Sequence, residues 1–148
     1  MRPLSLALIL LLSLLLVSCS RNHLPPIKDS AALQKDCSLL YQQFPVSEIP
    51  TNAPDFDYQH GLGIRIIPKD KWPDSILALH PYMVCGYQGG IQIWISFSQH
   101  QDGEAYYVAF DPKSPPPTYV ASNDFVFKNT TFKGIYEVRQ KVQAIHTN

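Results

Sequence analysis

The sequence predicts an α+β domain: an antiparallel sheet, laid out as a hairpin meander, with one main helix and one short helix packed on it. Three observations carry this. Ile91, Ile93, Ile95 and Phe97 alternate with Gln92, Trp94, Ser96 and Ser98, the period of two that marks a strand with one face on a core. Leu33, Cys37, Leu40 and Phe44 follow at spacings of 4, 3 and 4, which places them on one face of a helix. Gly89-Gly90 and the segment 100–103 then separate the regular strand from apolar neighbours by hairpin-length connections.

Ser30 is a suitable N-cap for a helix over 31–43, and Pro45 ends it. Residues 45–61 contain Pro45, Pro50, Pro54, Asp55, Asp57 and Gly61, so a long irregular connection is expected there. Leu62, Ile64 and Ile66 predict a strand closed by Pro68. Asp70 or Trp72 can cap a short helix with Pro73 in its first turn and Trp72, Ile76 and Leu79 inside. Strands are expected over 82–87, 91–98 and 104–110, with Tyr106, Val108 and Phe110 repeating the alternation. Pro112, Pro115, Pro116 and Pro117 stiffen the next loop. Phe125-Val126-Phe127 predicts a short strand. Residues 132–145 fit both periods, with Tyr136 and Val138 favouring a strand over 133–139.

Composition narrows the class. The 148 residues hold 12 Lys+Arg against 12 Asp+Glu, and 45% are hydrophobic, enough for one domain with a core. A neutral chain without a basic run lacks the phosphate-neutralising charge that nucleic-acid binding needs, so no nucleic-acid partner is expected.

Met1-Arg2 precedes the uncharged, Leu-rich stretch 4–17, apolar but for Ser5 and Ser13, which is shorter than the roughly 20 residues a membrane helix needs and fits a cleaved signal peptide. Leu16-Val17-Ser18-Cys19 resembles the bacterial lipobox. That resemblance implies cleavage before Cys19 and lipidation of its thiol and new amino group. Acyl chains contribute about 0.8 kcal/mol per buried CH₂, so Cys19 becomes the membrane anchor. Ser20, where inner-membrane lipoproteins often carry Asp, implies the outer membrane. The expected division is 1–18 signal peptide, 19–29 lipidated cysteine and flexible tether, and 30–148 globular domain. Without Arg2 the mature chain carries a net charge of about −1, so the lipid rather than electrostatics holds the membrane. The segment 68–110 also resembles small uncharacterised bacterial envelope proteins of similar layout, a likeness that implies no activity.

Cys37 and Cys85 remain as an even pair in an oxidising compartment, which predicts a disulfide. Closing a loop of about 49 residues would stabilise by up to about 4 kcal/mol. The competing reading is a nucleophilic Cys85 with His80 or His60 as base. Asp55, Asp57 and His60 form the densest group able to meet a cation or act in hydrolysis, although polar turns of this kind are common without metal. The sequence contains no GxSxG, HExxH, GxGxxG, Walker A, SxxK or CxxC pattern, and no cofactor or metal is expected. Trp94 falls on the polar side of the regular strand, with Tyr107 beside it if 91–98 and 104–110 pair. Exposed, these aromatics would form a binding platform; covered by helices, they would be core. The expectation is a lipid-anchored, non-enzymatic envelope protein binding an envelope protein or glycan, with an envelope hydrolase using Asp55, Asp57 and His60, or Cys85 and His80, as the alternative.

Overall fold

Asp29, one residue before the expected cap, opens the main helix: its Oδ1 accepts from the Ala32 backbone N–H at 2.9 Å, which satisfies one of the first-turn donors the helix itself cannot pair. The helix, α1 (Ser30–Gln43), buries Leu33, Cys37 and Leu40, the stripe that the spacing predicts. The computed structural model describes residues 24–46, 56–57, 62–87, 89–97, 103–113, 116 and 123–142. The lipobox-like segment 16–19, with Cys19, lies outside them, as do Asp55 and His60.

Among the described residues seven strands follow: β1 (Phe56–Asp57), β2 (Leu62–Ile66), β3 (Met83–Tyr87), β4 (Gly90–Phe97), β5 (Gly103–Ala109), β6 (Asn123–Asn129) and β7 (Ile135–Val142). A 3-10 turn over Lys69–Lys71 and a short helix α2 (Asp74–Leu77) separate β2 from β3. Pro73, expected inside the first turn of α2, stands one residue earlier at its cap. All pairings are antiparallel, in the order β1-β2-β3-β4-β5-β7-β6. β2 to β5 are the expected meander. β6 then lies at the sheet edge, and β7 returns between β5 and β6.

Two elements exceed their predicted lengths. β6 extends to seven residues because it pairs along its whole length with β7, from Asn123↔Val142 to Asn129↔Tyr136. β7 is a strand from Ile135, which resolves the conflict between periods in favour of the sheet. The turn between them is closed by Thr130, whose backbone and hydroxyl both bond the Ile135 carbonyl. β1 is an addition: two residues of the expected irregular connection pair with Leu62 and Gly63.

The two faces of the sheet bury different side chains. On one, α1 and α2 cover Val84, Ile91, Ile93, Tyr106, Val108 and Ile135, joined by Leu33, Cys37, Leu40, Ile76 and Leu79. On the other lie Cys85, Tyr87, Trp94, Ala105, Tyr107, Ala109 and Val138. Alternation along β3, β4 and β5 sorts them, since neighbouring residues point to opposite sides.

Over its described residues, 24–29, the tether expected at 19–29 is corrected by the structure. Leu24 and Ile27 pack on the helix-side core, and the Tyr106 hydroxyl donates to the Pro25 carbonyl at 2.8 Å. Residues from 24 onward therefore belong to the folded domain, because two apolar side chains and a hydrogen bond outweigh the freedom of a short extended strip.

Candidate functional site

Curvature of the sheet builds the site. β3 and β6 are four positions apart in the strand order; in a flat sheet that is about 19 Å at about 4.8 Å per step. Yet the rings of Tyr87 on β3 and Phe125 on β6 lie 6.4 Å apart, and those of Trp94 and Phe125 6.1 Å. The sheet curls toward the face without helices, so residues from β2, β3, β4, β6 and β7 converge on one concavity. The cavity has a volume of about 250 Å³, with walls that include Ile64, Met83, Cys85, Trp94, Phe97 and Phe125.

A bulge in β4 contributes. Trp94 pairs with Ala105 and Ser96 with Glu104, which leaves Ile95 as the extra residue. Such an insertion bends a strand and shifts the facing of the residues beyond it. Phe97, expected beside Ile91, Ile93 and Ile95, therefore turns to the concave side and stacks on Trp94 with ring centroids 4.8 Å apart. Ile95 stays with the helix-side core.

Two glycines let these aromatics close on the backbone. A Cβ on Gly90 would stand 2.6 Å from Tyr107 Cζ, and one on Gly103 would stand 2.6 Å from Trp94 Cζ3. Gly103, expected in a turn, is instead the buried first residue of β5. Gly89, at φ 79°, supplies the left-handed conformation of the preceding turn.

Trp94 and Tyr107 do share the face opposite Ile93 and Val108, as strand parity predicts. Of the two alternatives, exposed platform or covered core, the exposed platform is ruled out: they are 3% and 2% exposed. Neither is under a helix. Phe97 and Phe125 flank Trp94, while Phe127 and Tyr136 pack on Tyr107 at 5.7 and 6.2 Å, and burial pushes the Tyr107 hydroxyl pKa upward.

The Cys37–Cys85 disulfide is corrected as well. Both cysteines are free and buried, and they stand on opposite faces of the sheet. Cys37 lies between α1 and the aliphatic core, whereas Cys85 faces the aromatic concavity. Bonding them would require a connection through a layer of paired strands. The helix stripe and strand periodicity locate each cysteine on an apolar face without saying which side of the sheet it takes.

Cys85 does not have the character of a nucleophile. Burial pushes its thiol up to about 12, with a hydrogen bond involving Trp94 pulling the other way, whereas a reactive cysteine needs a lowered pKa and exposure. His80, its proposed base, is exposed in the turn after α2, on the helix side. The strand backbone holds Asp57 in β1, and its proposed partners Asp55 and His60 lie outside the described residues. Among the described residues no three His, Cys, Asp or Glu side chains gather as a metal site.

Gln92 is the residue that sequence reasoning missed. It pairs across β4 with Cys85 on one side and Tyr107 on the other, lines the cavity, and is 2% exposed. The Cys85 thiol donates to its Oε1 at 3.8 Å, while its Nε2 has no hydrogen-bond partner. Gln140 on β7 is the other amide in the wall. The overlooked signal is the unbroken apolar run Ala105 to Ala109, with Met83 to Cys85 and Ile93 to Ile95 beside it; in the structure Val84 to Tyr87, Ile91 to Trp94 and Ala105 to Ala109 are buried without interruption. Near-continuous apolar runs mark strands covered on both faces.

A second concavity of about 330 Å³ lies on the helix side, bordered by residues 26–29, α1 and α2. Its polar groups largely satisfy one another: Ser75 Oγ donates to Asp36 Oδ2 at 2.6 Å, and Asp29 caps α1. The chain matches no family model, no curated protein and no solved structure. Among the described residues, no helix is long and apolar enough to cross a membrane.

Proposed function

We propose that the protein is a lipid-anchored, non-enzymatic binding module of the bacterial envelope, and that the concave aromatic face of its sheet holds a small ligand. The observation that carries this reading is the cavity itself: about 250 Å³ of space, apolar walls and one buried, unsatisfied amide donor. A filled core would close such a space, because interior packing loses contacts at every void. Pockets with apolar walls and a few placed polar groups are characteristic of small-molecule sites.

The lipobox at 16–19 supports the anchor, and Ser20 supports the outer membrane. With Cys19 lipidated and Leu24 docked in the domain, five residues span at most about 17 Å, so the domain rides close to the bilayer rather than on a long leash. Docking of an envelope protein or glycan on Trp94 and Tyr107 loses its motivation, since neither is exposed.

The test uses protein taken from its native envelope. Native mass spectrometry is expected to show a noncovalent small molecule on the lipidated chain, and Ile64→Trp, which fills the cavity, is expected to lose it while keeping the lipid. Cys19→Ala is expected to move the protein out of the membrane fraction. Retention of the same small molecule by Ile64→Trp would overturn the binding reading, and a membrane-bound Cys19→Ala protein would overturn the anchor.

A further inference from the structure

We propose that the ligand of the concave cavity is a small neutral molecule with an apolar body and a hydrogen-bond acceptor, a carbonyl or amide oxygen, received by Gln92 Nε2. The proposal rests on the binding reading above and adds the ligand's chemistry to it.

Gln92 fixes the polar end. It stands on the central strand β4 between Cys85 and Tyr107, with 2% of its surface exposed. Its acceptor end is engaged, because the Cys85 S–H donates to Oε1 at 3.8 Å; burial keeps that thiol protonated, with a pKa of about 12, and therefore keeps it a donor. The donor end, Nε2, has no partner. A buried amide N–H left unmade loses its hydration without recompense, so a ligand oxygen placed there recovers interaction that the empty protein lacks. At Nε2 itself a ligand offering only a donor would meet another donor and gain nothing.

The walls fix the rest. Ile64, Met83, Trp94, Phe97 and Phe125 are apolar, and among the described residues the cavity lining carries no Lys, Arg, Asp, Glu or His side chain. An ionised ligand would exchange water for a site without a countercharge, a transfer strongly opposed in an apolar setting. Volume limits the size: a dry cavity of about 150 Å³ accepts benzene, so about 250 Å³ accommodates a body near two fused rings or a branched chain of similar bulk. The aromatic plates of Trp94 and Phe125 suit a flat face.

The experiment compares three probes of nearly one shape on the full chain reconstituted in vesicles, with protein-free vesicles subtracted. 2-Acetylnaphthalene presents a carbonyl, 2-isopropenylnaphthalene replaces that oxygen by a CH₂, and 2-naphthoate carries a charge. Quenching of Trp94 fluorescence reads binding. The acetyl compound is expected to bind about tenfold more tightly than its isopropenyl isostere, a preference in keeping with one satisfied buried donor, and the carboxylate is expected not to bind. Gln92→Met is expected to erase the preference by weakening the acetyl compound alone. Equal affinity of the two neutral probes for the wild-type chain would overturn the acceptor assignment while leaving the cavity reading in place. A preference that survives Gln92→Met would do the same. Failure of every probe to bind the wild-type chain would overturn the cavity reading itself. Because the isostere comparison is made on the wild-type protein, it decides the matter even if the Gln92→Met variant does not fold.

Discussion

The two faces of the sheet use the same strands for opposite ends. The helix side is aliphatic, with Ile76, Val84, Ile91, Ile93 and Val108 almost wholly enclosed beneath α1 and α2. The concave side is aromatic, with Tyr87, Trp94, Tyr107, Phe125 and Phe127 set at ring separations of 5.7 to 6.4 Å. Branched aliphatic side chains adapt to one another and fill space; flat plates held by a curled sheet touch at edges and leave a gap. Near-zero exposure therefore has two meanings in this molecule. On one face it records a packed core, and on the other it records walls around a cavity.

Matched truncations should separate these meanings. Ile93→Ala removes a branched side chain from the filled face and is expected to cost about 4 kcal/mol in unfolding free energy, since the surrounding helices and strands cannot collapse onto the hole. Urea titration measures it. Gly103→Val tests how tightly the concave face is set: its Cβ would already stand 2.6 Å from Trp94 Cζ3, and displacement of the indole is expected to cost about 2 kcal/mol. Met83→Ala, half-buried at the cavity wall, should cost only about 1 kcal/mol, because it enlarges a space that already exists. A cost for Met83→Ala equal to that of Ile93→Ala would mean the two faces are packed alike.

The cysteines offer a smaller contrast, one on each face. Burial raises both thiol pKa values above the ordinary 9.0. A raised folded-state pKa favours the protonated thiol, so this contribution to stability is fully present below about pH 9 and is lost as pH rises toward 12. Thermal melts between about pH 8 and pH 11 should show the decline, and Cys85→Ala should reduce it. At about pH 8 a small methanethiosulfonate, which transfers CH₃S to a thiolate and releases sulfinate, should modify Cys85, which faces the cavity, sooner than Cys37, which is sealed between α1 and the sheet; the reverse order would place the opening on the wrong side.

Most of the fold was legible because it is written in local periodicity. The stripe from Leu33 to Leu40 marked α1, and Ile91 and Ile93 marked the facing of β4. The two-residue strand β1 was not legible, since its pairing depends on a distant partner rather than on its own pattern. The bulge at Ile95 was hidden for a related reason: a period-two reading continues through it and puts Phe97 on the wrong side. Trp94 and Tyr107 were correctly placed on one face, but their burial depends on β6 curling over from strands away, which no window of sequence contains. Gln92 looked like an ordinary outward polar residue until both of its flanking strands proved to be covered on that side. Pairing Cys37 with Cys85 went astray because chain arithmetic counts cysteines and ignores which side of a sheet they occupy.

Xenon binding tests the distinction between the faces most directly, because the gas enters apolar voids and ignores filled cores. Diffraction from crystals of the protein under xenon pressure should show an ordered atom among Ile64, Trp94 and Phe125, with none between α1 and the sheet. Xenon absent from the aromatic face, with side chains or main chain occupying that space, would contradict the account.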